Sequence, residues 1–127
     1  MGYTIAAVSI GAALGALLRW WLAIQLNPGT PGLPLGTLAA NLIGGYLVGV
    51  AVAYFSNNAN LPVEARLFII TGFLGGLTTF STFSAETVTM LMREQYGWAL
   101  GTICAHLGGS LVMTVLGIMT VKWVAAT

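Results

Sequence analysis

Only seven of the 127 residues carry a formal charge: Arg19, Glu64, Arg66, Glu86, Arg93, Glu94 and Lys122. That is 6% of a chain that is 57% hydrophobic, against roughly a quarter charged in soluble domains. The charges leave four apolar stretches, 3–26, 35–55, 62–92 and 96–124, each long enough for the roughly 20 residues that a helix needs to cross the bilayer core. The expected fold is therefore an all-α membrane protein with four transmembrane helices, residues 1–127 forming one domain. The connections are short, so consecutive helices should be antiparallel neighbours with both termini on one face. Asn27 to Gly32 reads Asn-Pro-Gly-Thr-Pro-Gly, a turn-rich linker. Trp20, Trp21, Trp98 and Trp123 fall near the expected span ends, where amphipathic rings settle at the interface.

The third stretch is the irregular one. Gly72 to Ser84 reads Gly-Phe-Leu-Gly-Gly-Leu-Thr-Thr-Phe-Ser-Thr-Phe-Ser. Three glycines lower helix propensity, and five hydroxyl residues can bond their own backbone instead. The residues predict a helix that breaks near Gly75 to Thr79 and restarts before Phe80. Unpaired backbone at membrane depth survives only where it is buried in protein, lines water or binds ions. The competing reading is a continuous helix whose small residues pack against a neighbour.

The other stretches carry small and polar residues at helical spacing. Ala7, Gly11 and Gly15 form a close-packing ridge that continues to Arg19, a residue suited either to snorkelling and capping or to an anion vestibule. Asn41, Gly45, Gly49 and Ala53 form a second ridge, so Asn41 should face another helix, as interhelical hydrogen-bond glue or as a donor to a passing anion. In the fourth stretch Gly97, Gly101, Ala105 and Gly109 make a small ridge, and Thr102, His106, Ser110 and Thr114 make a polar stripe beside it. Phe80 and Phe83 share a face. Glu86 is an acid at membrane depth and on that ground a candidate for function.

Several classes are disfavoured. Near-zero net charge gives no reason to expect nucleic acid as a partner. The single Cys104 cannot form a disulfide within the chain, and the single His106 has no acid at ligand spacing. The first apolar stretch lacks a basic start and is too long for a cleaved signal peptide. No nucleophile–base pair, phosphate loop or carboxylate dyad is present, so enzymatic activity is not expected. With the termini on one side, Arg66 and Lys122 fall toward that side and Arg19 and Arg93 toward the other. Two against two leaves no positive-inside bias. Two oppositely oriented copies would accommodate that balance and would also enclose a pathway that four short helices enclose poorly.

Three motifs in order carry a resemblance: Gly11-Ala-Ala-Leu-Gly15-Ala-Leu-Leu-Arg19, Gly36-Thr37-Leu-Ala-Ala-Asn41-Leu-Ile-Gly44, and Gly72-Phe-Leu-Gly75-Gly76-Leu-Thr78-Thr79-Phe80-Ser81-Thr82-Phe83. Over essentially its whole length the chain resembles the Fluc (CrcB) family of fluoride channels. The resemblance implies an antiparallel, dual-topology homodimer in the bacterial inner membrane, with two pores that let fluoride leave the cytoplasm passively. It implies pore roles for Asn41, Phe80 and Phe83, and a polar track including Ser81, Thr82, Ser110 and Thr114 with Glu86 near it. It also implies a structural sodium ion at the dimer interface, held by the backbone carbonyls of Gly75 and Thr78. Arg19 matches a vestibule position only weakly. The alternative from another class is a small dual-topology, proton-coupled drug exporter, which needs an acid in the first helix, where this chain has none.

Overall fold

The computed structural model describes residues 1–27 and 33–127. Most of the expected linker, from Pro28 to Gly32, lies outside the described residues. Four helical spans are long and apolar enough to cross a membrane, and no strand occurs among the described residues. Span one is α1 (Gly2–Leu26), span two is α2 (Leu35–Asn57), and the fourth is α6 (Tyr96–Ala126). Span three is composite. It consists of α3 (Val63–Arg66), a π-helical segment (Leu67–Leu74), α4 (Gly75–Leu77) and α5 (Ser81–Met92).

Glycine ridges hold these helices together at backbone contact distance. α1 lies along the π-helical segment and α2 along α6. A Cβ on Gly15 would strike the carbonyl oxygen of Phe73, and one on Gly11 that of Phe68. A Cβ on Gly49 would strike the Thr114 carbonyl, and one on Gly117 that of Tyr46. The ridges read in the first and second stretches therefore pack inside the chain, as close small-residue contacts do in membranes. The ridge in the fourth stretch does so only at its far end: additions at Gly97 and Gly101 would meet nothing within 4 Å, whereas one at Gly109 would strike the Leu42 side chain. Leu22, Ala40, Ala51, Phe55, Leu74 and Leu77 form a small core, while large apolar side chains such as Ile10, Leu107 and Leu111 face outward. That inside-out distribution suits lipid as the solvent.

The helix ends show how backbone groups are satisfied. Pro34 precedes α2, and the Asn27 side chain reaches over from the end of α1 to accept the Gly36 N–H at 2.6 Å. Gly36 has to be glycine there, since a Cβ would lie 2.6 Å from the Leu22 carbonyl oxygen. α5 ends with the Gln95 N–H on the Met90 carbonyl at 2.8 Å and the Glu94 N–H on the Leu91 carbonyl at 3.1 Å. Those two bonds make a Schellman turn, and Glu94 takes the left-handed position with φ 59° that glycine usually fills.

Within the third span the helix outlasts the predicted departure point. Gly75 to Leu77 remain helical, Thr78 is extended at φ −83° and ψ 154°, and the helix resumes at Ser81 with Phe80 as the residue before it. Glycine propensity is a weak prior that packing overrides: Gly76 is pressed against Ala12 of α1, which keeps the turn wound. The Gly75 N–H reaches back to the Ile70 carbonyl, the wide spacing of a π turn.

Candidate functional site

The site grows from one backbone problem. Thr78 to Phe80 are not helical, so neighbouring N–H and C=O groups need partners other than the helix ladder. Asn41 of α2 supplies two of them. Its Oδ1 accepts the Thr79 N–H at 2.8 Å, and its Nδ2 donates to the Thr79 carbonyl at 3.0 Å. The amide thus pairs with Thr79 as a second peptide group would. The Thr79 hydroxyl accepts the Thr82 N–H at 3.1 Å and so caps the first turn of α5. Arg19 closes the other end: its Nε donates to the Gly76 carbonyl at 3.0 Å. A cation at the C-terminal end of a helical run is favourably placed.

Asn41 has one N–H left, and it faces His106 of α6, with Nδ2 and Nδ1 2.9 Å apart. The His106 ring lies 4.6 Å from that of Phe83, tilted by 36°. Phe83 meets Phe80 edge-on, with centroids 5.5 Å apart and planes at 72°. Together Asn41, Thr78, Thr79, Phe80, Phe83, His106 and Ser110 line an open groove of about 300 Å³, with Leu107 and Leu111 at its side. Phe80 is 73% exposed and overhangs it, whereas Phe83 is half-buried.

The remaining expected residues are distributed around this groove. Ser81 is exposed, with its hydroxyl 3.4 Å from that of Thr79. Thr82 contributes its N–H to the cap. Thr114 lies outside the groove lining, and its hydroxyl reaches the carbonyls of Gly45 and Ser110, each at 2.9 Å. Thr102, in the same stripe, is fully buried and bonds its own helix at Trp98. Such i−4 bonding explains part of the polar stripe without any ligand. Glu86 takes a 2.6 Å hydrogen bond from the buried Thr37 hydroxyl, and its other oxygen is buried with no partner among the described residues. The residue reading did not single out Thr37. The signal was available, since Thr37 stands four residues before Asn41 on the same face of α2.

The carbonyls of Gly75 and Thr78 can be tested as a cation site. In a continuous helix they would accept from the N–H groups of Thr79 and Thr82. Those two donors go instead to Asn41 Oδ1 and Thr79 Oγ1. Both carbonyls are thus relieved of helical partners, and neutral oxygen donors of this kind suit a hard monovalent cation. The residues fit the ion.

Four apolar helical spans are those of a multi-pass membrane protein, and the polar, aromatic-rimmed groove lies on the third and its neighbours. The chain belongs to the family described as CrcB-like protein, Camphor Resistance (CrcB), whose profile matches residues 6–118. It is 69% identical over 123 residues to the fluoride-specific ion channel FluC of Nitrosospira multiformis, covering 97% of this chain and 96% of the relative. It is 57% identical over 123 residues to the protein of that name from Pseudomonas paraeruginosa, with 97% of each chain covered. It is 54% identical over 127 residues to that of Burkholderia lata, with 99% of each covered. The resemblance drawn from the three motifs is borne out, and these relatives are named as ion channels, not enzymes.

Proposed function

We propose that this chain is the subunit of a fluoride-selective channel that lets fluoride leave the bacterial cytoplasm passively through the inner membrane. The observation that carries the reading is the groove at the interrupted third span, where a polar clamp, two phenylalanine rings and Ser110 converge. Fluoride is small and strongly hydrated, so a selective path must replace its water by donors without trapping it. Ring edges carry the positive part of the aromatic quadrupole, and Phe80 and Phe83 offer such edges with no formal charge. Several weak sites in series are what conduction requires.

In this reading the third span is a broken helix, and the gap between α4 and α5 belongs to the pore. The working unit is an antiparallel homodimer with two pores. The balanced charges allow both orientations, and the exposed Phe80 and the open side of the groove leave room for the second copy. The Gly75 and Thr78 carbonyls of both copies hold a structural sodium ion. Ser81, Thr82, Ser110, Thr114 and Glu86 form the polar approach.

The test is fluoride efflux from liposomes that contain only this protein. Fluoride release that depends on a potassium ionophore, with chloride retained, is expected. Proton-coupled transport of organic cations without fluoride release would support the exporter alternative instead. A C-terminal tag in cells should be accessible from both sides of the membrane; one orientation in all molecules counts against the antiparallel dimer. Exchange of sodium for a large organic cation is expected to shift the dimer toward monomer in detergent, and an unchanged dimer would remove the structural ion from the scheme.

A further inference from the structure

We infer that His106 is a specificity-determining residue of this site: its Nε2–H is the nitrogen donor that the groove presents to fluoride. This rests on the channel reading. The argument starts from Asn41, whose orientation is fixed by Thr79, because Oδ1 must accept the Thr79 N–H and Nδ2 must donate to the Thr79 carbonyl. The second Nδ2 hydrogen then points at His106 Nδ1, which has to be an acceptor. A neutral imidazole whose Nδ1 accepts carries its proton on Nε2. His106 is 4% exposed, and its Nε2 is buried without a partner among the described residues. A buried donor left unmatched is costly, and this one belongs to a ring that lines the groove beside Phe83 and Ser110. Both Asn41 hydrogens already have acceptors, so Asn41 positions the imidazole and Thr79, and the imidazole meets the anion. A small, strongly accepting anion satisfies Nε2–H best, and a hydrogen bond to an ion is shorter and stronger than one to a neutral acceptor.

The chain contains a single histidine, so the test is unambiguous when purification uses a tag without histidine. Histidine labelled with ¹⁵N in the reconstituted wild-type protein should show a protonated Nε2 and an unprotonated Nδ1. Fluoride should shift the Nε2 signal, and chloride at the same concentration should not. A signal indifferent to fluoride overturns the inference even if the protein conducts fluoride. A fluoride-dependent shift in a protein without efflux keeps the site and removes the channel. Three variants separate contact from positioning. His106→Asn keeps an acceptor for Asn41 and loses the distal donor. His106→Gln keeps a distal N–H and loses the acceptor. His106→Phe keeps the stack on Phe83 and loses both. Flux is expected to fall about tenfold or more in His106→Asn and His106→Phe, as befits loss of one hydrogen bond to an ion, while His106→Gln retains most of it. Retained flux in His106→Asn with loss in His106→Gln would mean that His106 only holds Asn41, and normal flux in His106→Phe would dismiss it altogether. If all three variants lose flux, the fluoride response of the wild-type ¹⁵N signal decides.

Discussion

Replacing Phe80 by isoleucine is expected to abolish most fluoride efflux while leaving the folded protein intact. Two observations separate these effects. The Phe80 ring is 73% exposed, so little of its surface is packed within the chain. Its ring contact is the edge-on meeting with Phe83 at 5.5 Å, a geometry worth about 0.5–1.5 kcal/mol. Isoleucine keeps an apolar side chain and removes the ring quadrupole, so stability should fall by no more than about 1.5 kcal/mol, as in a volume-tolerant apolar exchange. If the ring edge meets the anion, flux should fall by about tenfold for each 1.4 kcal/mol of stabilisation lost along the path. Phe83→Ile should act in the same direction but cost more stability, since Phe83 is half-buried and stacks on His106. Chloride should not pass in either variant, because no cationic or wider site is created. The measurement is halide efflux from liposomes with size-exclusion profiles beside it. Normal fluoride flux in both variants would make these rings packing elements. A shift to monomer in Phe80→Ile would make Phe80 an interface anchor.

The spans were legible because lipid imposes a coarse rule: about 20 apolar residues in a row have few other folds available. The ridges Gly11–Gly15 and Asn41–Gly45–Gly49 were equally legible, because spacing by four fixes a helix face before any partner is known. What such spacing cannot say is which neighbour covers the face. Gly97 and Gly101 have the same pattern and cover nothing within the chain. The non-helical residues Thr78 to Phe80 were not placed by the residues alone. Glycine at 75 and 76 argued for an early departure, whereas contact with α1 kept those turns wound. The helix gives way at Thr78 and Thr79, where Asn41 can take over the backbone bonds. That exchange pairs residues 38 positions apart, which no local pattern contains. The π-helical segment Leu67–Leu74 was not legible either, since no local pattern of residues separates a wide turn from an ordinary helical one. Thr37 with Glu86, and Asn41 with His106, each join a residue of one span to a residue of another. Each residue could be named from the sequence, but the pairing needs the helices docked.

Asn41→Asp is expected to be the most damaging single-atom exchange in the chain, and the geometry says why. Asparagine serves the site through three hydrogen bonds of mixed sign: it accepts from Thr79 N–H and donates to both Thr79 C=O and His106 Nδ1. A carboxylate can keep only the first. Its second oxygen would face the Thr79 carbonyl and the imidazole acceptor with no proton to offer either. Each buried polar group left unmatched costs about 1–3 kcal/mol, so the loss across the two contacts should be about 2–4 kcal/mol at this half-buried position. The new negative charge also lies on the wall of the groove, where it repels an approaching anion. Stability and fluoride flux should therefore fall together. Asn41→Ala separates the two contributions. It strands the two Thr79 backbone groups without adding charge, so it should lose similar stability, and whatever flux survives in it should exceed that in Asn41→Asp. Thermal unfolding in detergent and liposome efflux, run on both variants, read the two quantities. Equal residual flux in the two would show that Asn41 acts through the backbone alone. Unchanged stability in both would mean that the Thr79 segment does not depend on this amide and that the account of the interrupted helix is wrong.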